Sequence, residues 1–421
     1  MDAFGYKNTT LCASNVNIKD IAEKIGTPFY CYNNDYITEL YNIYKDALAG
    51  HQIAYAIKAN SNQAVINLLA KLGAGADIVS LGELKRAIQA DVPSDKIIYS
   101  GVGKTQEEID YALNANIGCF NVESEPELNI IIARAKALGK RAPISLRINP
   151  NIDAKTHPKI ATGLAGNKFG LEIPHAIELY KKAHTIPQIK ITGVDVHIGS
   201  QICELEPFDQ AFSKIVEFIN ILKSLAIVLE HVDIGGGLGI DYSANVMHSE
   251  TKSRIENHAK LAIKHFEPLG LKIICEPGRS LVGNAGALIT KVIYTKESYN
   301  KKFVIVDAAM NDLIRPALYN AKQPVIPVQQ PTEKSETIIA DLVGPVCETG
   351  DLLAENYKTP ILQPGELIAI LGSGAYGATM ASNYNTRLLI PEVMVKQDKW
   401  QVIRKRETYE NLIDKDIIPQ W

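Results

Sequence analysis

Between residues 53 and 276, eight short apolar runs alternate with stretches of helical spacing. The runs fall at 53–57, 76–79, 96–100, 119–122, 144–148, 191–197, 231–234 and 272–276. Helical spacing marks 62–72, 82–90, 106–116, 125–138, 174–184, 207–225 and 251–269. The first four runs end about 22 residues apart, close to the minimum for a strand, a crossover helix and two short loops. The runs are nearly continuous rather than alternating, as in a parallel sheet buried on both faces. This pattern predicts an α/β protein with a (β/α)8 barrel of the TIM type. A doubly wound open sheet gives the same local pattern; the count reaching eight and then stopping favours the barrel.

After about Arg279 the texture changes. Strand-like segments at 287–294, 303–307, 337–343, 367–371 and 386–395 are separated by Gly and Pro clusters, and helical periodicity is sparse. This predicts a C-terminal all-β, barrel-like domain over 281–421. Residues 1–34 precede the barrel, include a strand-like run at 27–32, and are expected to join the β-domain. The barrel is then expected over 35–280.

Several classes are excluded. The 44 Lys and Arg against 47 Asp and Glu leave a net charge of −3, without the basic excess of a general nucleic-acid binder. No apolar run approaches the ~18 residues that span a bilayer, and the N-terminal residues do not read as a signal peptide. The six cysteines are scattered without a C-x-x-C pair, so neither a zinc ribbon nor a disulfide scaffold is expected, and no metal. The expectation is a cytoplasmic enzyme.

Active sites of such barrels lie at the C-terminal ends of the strands. Lys58 follows the first run, and His197 and Glu276 end the sixth and eighth. A lysine in that place is usually a solvated end residue. Partly desolvated in a barrel mouth, its amine becomes a nucleophile that forms Schiff bases with carbonyls, including that of pyridoxal phosphate (PLP). Gly235-Gly236-Gly237-Leu238-Gly239 does not meet the full dinucleotide fingerprint, and a tight turn is its plainest reading. Loops after the seventh and eighth strands of a barrel often cradle phosphate, however, and Gly278 and Arg279 follow in the next loop. Glu276 reads either as a cap or as a partner that keeps a pyridine nitrogen protonated. His197 reads either as a core histidine or as a ring stacked on a cofactor. Cys347, alone, reads as a buried hydrophobe more often than as a functional thiol. Arg315 and Tyr319 are four apart and share a face on a helical turn.

Six segments then match one family in order along nearly the whole chain. They are Tyr55-Ala56-Ile57-Lys58-Ala59-Asn60, His197-Ile198-Gly199-Ser200-Gln201-Ile202, Gly235-Gly236-Gly237-Leu238-Gly239, Glu276-Pro277-Gly278-Arg279, Cys347-Glu348-Thr349-Gly350-Asp351 and Gly374-Ala375-Tyr376. The chain resembles the diaminopimelate decarboxylases, PLP enzymes of the alanine-racemase-like barrel type. Gln201-Ile202 with Pro207-Phe208 points to that branch rather than to ornithine or arginine decarboxylases. Thr349 departs from the serine often found there.

The resemblance implies decarboxylation of meso-diaminopimelate to L-lysine and carbon dioxide, the last step of lysine biosynthesis. It implies PLP carried on Lys58, with His197 stacked on the ring and Cys347 as proton donor; these three would be catalytic. Ser200, Gly237, Glu276, Pro277, Gly278, Arg279 and Tyr376 would hold the cofactor. Arg279, Arg315, Tyr319, Glu348 and Tyr376 would bind substrate. It also implies a homodimer with shared active sites, Cys347 reaching the neighbouring subunit's site. Nucleic acid and membrane are not expected partners. Ornithine or arginine decarboxylation is disfavoured by Arg279 and Arg315, because an acidic pocket suits diamine products better. A racemase usually places arginine at the ring nitrogen, where this chain has Glu276. A non-catalytic PLP-carrier protein would lack the β-domain.

Overall fold

The structure is a computed structural model that describes residues 2–242 and 248–421. Two compact units divide the chain. One comprises Thr38–Ile240 and Ser249–Ser280; the other comprises residues up to Ile37, Asp241 and Tyr242, and Leu281 onward.

The first unit is a closed parallel barrel. Its strands are β1 (Gln52–Ala56), β2 (Gly75–Ile78), β3 (Ile97–Tyr99), β4 (Cys119–Val122), β5 (Ala142–Ile148), β6 (Ile189–Val196), β7 (His231–Asp233) and β8 (Lys272–Cys275). Each pairs with the next, and β8 returns to β1 through Ile274 opposite Gln52 and Cys275 opposite Ile53. That closure removes both sheet edges and excludes the open-sheet alternative. The crossover helices start where the sequence supplies caps. Asn62, Ser80 and Ser124 each accept a backbone N–H of the following turn, and Thr105 with Glu108 forms a full capping box. Gly193 on β6 leaves room for the His231 ring on β7, which a Cβ there would strike.

Part of the barrel interior is polar. Asp77, Asn121, Ser145, Arg147, Asp195 and Asp233 are all buried. The Ser145 hydroxyl donates to Asn121 Oδ1, and Asn121 Nδ2 donates to Ser100 Oγ at 3.2 Å and to Asp233 Oδ2 at 3.4 Å. Arg147 Nη1 donates to Glu123 Oε1 at 2.9 Å.

On the outside of the barrel, helices Glu206–Ser224 and His248–Phe266 bury Phe208, Phe212 and His258. The His258 ring stands edge-on to Phe208 with centroids 4.6 Å apart, and neither ring nitrogen has a hydrogen-bond partner among the described residues. Burial lowers its pKa to about 4, so the folded chain holds it neutral. The unfolded chain takes up the proton near pH 6.5. Stability from this residue is therefore complete above pH 6.5 and is lost as pH falls toward 4, by up to roughly 3 kcal/mol. His258→Leu is expected to raise the melting temperature and flatten its decline between pH 6.5 and 4, measured by thermal denaturation across that range. A steeper decline would contradict it.

The second unit is built on a nine-stranded mixed sheet among the described residues. One of its inner strands, Phe29–Asn33, comes from early in the sequence. It pairs antiparallel with Gly286–Ser298 (Leu288 opposite Tyr30) and parallel with Glu392–Lys396 (Val393 opposite Cys31). Phe29, Cys31, Ala287, Ile289, Ala369, Val393 and Val395 form its core with Ile18 and Ile21 of helix Ile18–Ile25. The run read as a strand at 386–395 is a 3-10 turn at Tyr384–Thr386 followed by the strand Glu392–Lys396. Strands Leu352–Pro360 and Lys399–Arg404 and helix Asn34–Ala47 carry too many polar residues for the apolar pattern to reveal them.

Candidate active site

Lys58 lies just past β1, on a 3-10 turn at Ile57–Ala59 rather than on the strand itself. Its ammonium forms an ion pair with Asp77 Oδ2 of β2. The Asp77 side chain is completely buried and that of Lys58 about one-third exposed, so the amine is held at the rim of the barrel interior. The exit of β8 is tied to β1: the Ala56 N–H donates to the Pro277 carbonyl at 3.2 Å. Gly278 approaches so closely that a Cβ would sit 3.0 Å from that of Ala59 and 3.1 Å from that of Ala56.

Glu276 follows β8 directly. Its N–H donates to the Gly235 carbonyl at 2.8 Å. The side chain is buried, and Oε1 has no hydrogen-bond partner among the described residues. Burial, followed by the nearby carboxylates of Asp233, Asp77 and Asp195, raises its pKa well above the carboxylate range; Lys58 opposes that rise. Oxygens of Asp195, Asp233 and Glu276 all lie within 4.8 Å of one another.

The half-buried His197 follows β6. Its Nδ1 accepts the Gly236 N–H at 3.2 Å, which places any ring hydrogen on Nε2. Burial, then the positive charges of Arg147 and Lys58, drives its pKa well below 6.5, so the imidazole is neutral at physiological pH. Gly235 and Gly237 have φ of +64° and +101°. A Cβ on Gly236 would strike the Glu276 carbonyl, and one on Gly237 the Gly199 carbonyl. The three glycines thus form a bare backbone surface after β7. Arg279 begins the short helix Arg279–Val282, is buried, and donates through Nη2 to Ser200 Oγ at 3.0 Å.

The second unit holds the other candidate residues in two groups. Arg315 opens the helix Arg315–Tyr319 and is buried. Its guanidinium lies 5.6 Å from the Tyr319 ring centroid, 5.9 Å from that of Tyr242 and 6.0 Å from that of Tyr376, an aromatic surround that suits a cation. Tyr376 has φ of +55° and sits in a turn where Gly374 packs against the Val282 carbonyl too closely for any side chain. Cys347 and Glu348 form the other group and are exposed. Cys347 Sγ donates to Asn385 Oδ1 at 3.3 Å, and the Tyr384 hydroxyl donates to Glu348 Oε2 at 2.9 Å. Their loop is pinned by buried Asp351, which accepts the N–H groups of Met310 and Val346, each at 2.7 Å.

The structure thus brings Lys58, His197, Ser200, Gly237, Glu276, Pro277, Gly278 and Arg279 to the C-terminal ends of the barrel strands. It brings Arg315, Tyr319 and Tyr376 together separately. Asp77, Arg147, Asp195, Asp233 and Tyr242 were missed as site residues. A charge inside an apolar run was a usable signal for Asp77, Asp195 and Asp233; Tyr242 had none.

These residues fit PLP. They offer an amine at the mouth, an orphaned buried carboxylate oxygen for a ring nitrogen, a neutral imidazole face and a glycine surface that admits a phosphate. Among the described residues, no helix is long and apolar enough to cross a membrane.

The family described as "Pyridoxal-dependent decarboxylase, pyridoxal binding domain" matches residues 34–283. The chain is 45% identical over 426 residues to the diaminopimelate decarboxylase of Zymomonas mobilis, covering all of both chains. It is 46% identical to that of Vibrio cholerae, covering 98% of each. The crystal structure of diaminopimelate decarboxylase from Helicobacter pylori complexed with L-lysine superposes with a TM-score of 0.89 at 44% identity, covering 95% of this chain and 99% of that one. The chain belongs to the diaminopimelate decarboxylase family of pyridoxal-dependent decarboxylases.

Proposed function

We propose that the residues above carry out the family's reaction, conversion of meso-diaminopimelate to L-lysine and carbon dioxide in lysine biosynthesis, as follows. Lys58 would carry the cofactor; until it does, Asp77 holds the Lys58 ammonium in place. Gly235 to Gly237, Gly278, Arg279 and Ser200 would receive the phosphate. Glu276 would hold the ring nitrogen, Pro277 sets the turn that carries Glu276, and the neutral imidazole of His197 would offer the ring an uncharged face. When bound, PLP supplies an electron sink for the pair released as the Cα–carboxylate bond breaks. Arg279 and Arg315 select the distal carboxylate and Glu348 the distal ammonium, with Tyr319 and Tyr376 lining the substrate. Cys347 delivers the proton that replaces the carboxylate on Cα.

We further propose a homodimer in which Cys347 and Glu348 serve the neighbouring subunit. Their exposure in the single chain supports this reading, as does the precise pinning of their loop by Asp351. The six cysteines are all unpaired, which suits the cytoplasm.

The observation that carries the assignment is the buried Glu276 oxygen without a partner, set beside Lys58 and the glycine surface. Borohydride reduction of the PLP-loaded protein is expected to fix a pyridoxyl group on the Lys58 peptide, read by mass spectrometry, in protein that releases carbon dioxide from meso-diaminopimelate. A label on any other lysine would overturn the assignment.

A further inference from the structure

The barrel interior beneath Glu276 carries more negative charge than its own cations balance. Asp77, Asp195, Asp233 and Glu276 come from β2, β6, β7 and the end of β8, and Glu123 adds a fifth carboxylate. The facing cations are Arg147, paired with Glu123, and Lys58, paired with Asp77. Asn121 and the neutral His197 complete the surround.

Asp195 has the poorest partners of the group. It is 2% exposed, Oδ1 has no hydrogen-bond partner among the described residues, and Oδ2 is 3.9 Å from Arg147 Nε. Asp233, by contrast, accepts the Gly235 N–H at 2.9 Å and Asn121 Nδ2 at 3.4 Å. Asp195 is thus a carboxylate of little structural benefit, buried within 4.8 Å of two others. Fold stability does not explain it, since like charges this close in a dry interior repel.

We propose that Asp195 is a positioning residue for the cofactor: acting through Asp233 and Glu276, it makes the barrel favour a ring nitrogen that carries a proton. The inference rests on the reading that Glu276 faces that nitrogen. In the cofactor-free chain the crowded carboxylates relieve their repulsion by sharing protons, so the anionic field is partly masked. A neutral ring nitrogen arriving at Glu276 takes up that shared proton and becomes the cationic N–H group, so the proton stays at the site and the whole carboxylate group, now ionised, stabilises it. Burial and mutual repulsion both push the Asp195 and Glu276 carboxyls well above their ordinary range, as this sharing requires.

The test compares Asp195→Asn with wild type in two measurements that do not use turnover. The amide keeps the shape and removes one charge. PLP affinity of the apoprotein, followed by absorbance and fluorescence titration at pH 8, is expected to weaken by roughly 10-fold, the equivalent of about one pKa unit at the ring nitrogen. The melting temperature of the apoprotein is expected to stay level or rise, because a buried repulsion is gone. An unchanged PLP affinity overturns the proposal. So does an apoprotein that melts lower or fails to fold, since that marks Asp195 as a structural residue. Glu276→Gln in the same titration separates the two layers. If it leaves PLP affinity unchanged, the placement of Glu276 is wrong and this inference falls with it. If it weakens binding while Asp195→Asn does not, only the role of Asp195 is wrong.

Discussion

Lys58→Ala and Cys347→Ala proteins, each essentially inactive alone, are expected to recover up to about a quarter of wild-type activity when mixed and allowed to exchange subunits. Random pairing makes half the dimers mixed, and in each mixed dimer one of two sites keeps both residues. On the roles proposed above, the separate variants lose the cofactor-bearing amine or the proton donor. Groups that touch the reacting atoms typically contribute at least about 100- to 10,000-fold each, so the background is low enough for recovery to stand out. The measurement is carbon dioxide release from meso-diaminopimelate before and after exchange, with exchange itself shown by mass-tagged subunits. Complete exchange without recovery would place Cys347 in the same subunit's site and remove the reason for a dimer in catalysis.

Arg315→Met is expected to lower kcat/KM for meso-diaminopimelate by roughly 10- to 100-fold or more while PLP stays bound. A charge-assisted contact of this sort contributes about 1.5–3 kcal/mol. Arg315 is buried among Tyr242, Tyr319 and Tyr376, so its guanidinium cannot trade a lost substrate carboxylate for bulk water. L-Lysine and L-ornithine present the same amino-acid head and lack that distal carboxylate. The variant therefore narrows the gap between good and poor substrates, because the loss falls on the good one. Steady-state kinetics on the three compounds decides the matter: a wild-type kcat/KM in the variant would detach Arg315 from the substrate.

The barrel was legible because parallel strands covered on both faces must be apolar throughout, and eight such runs leave few alternatives. Lys58, His197 and Glu276 stood out for the same reason, as polar residues ending apolar runs. The pairings of Phe29–Asn33 were not legible: its partners lie more than 250 residues away, and nothing local in an apolar pentamer names them. Asp195 was only half legible: its charge inside the run at 191–197 marks it as unusual but does not say why it is there. A single acidic residue in a strand acquires meaning only when β7 and β8 bring Asp233 and Glu276 beside it. The contact of Arg315 with Tyr319 followed from helical spacing, whereas Tyr242 joins the same cluster from 73 residues away.

The chain's two ends meet in one sheet, and a ribosome makes them at different times. The strand Phe29–Asn33 emerges early, but its antiparallel neighbour begins at Gly286 and its parallel neighbour at Glu392. At ~5–20 residues per second, the first of those partners follows after roughly 13–50 s. Throughout that interval an apolar strand with Phe29 and Cys31 has both hydrogen-bonding edges open, and the barrel itself lacks its closing strand until residues 272–275 are made. Growing chains therefore carry a sticky edge until residues 286–289 are made. A chaperone that covers the first 40 residues would improve the yield of native enzyme more than one acting on the released chain.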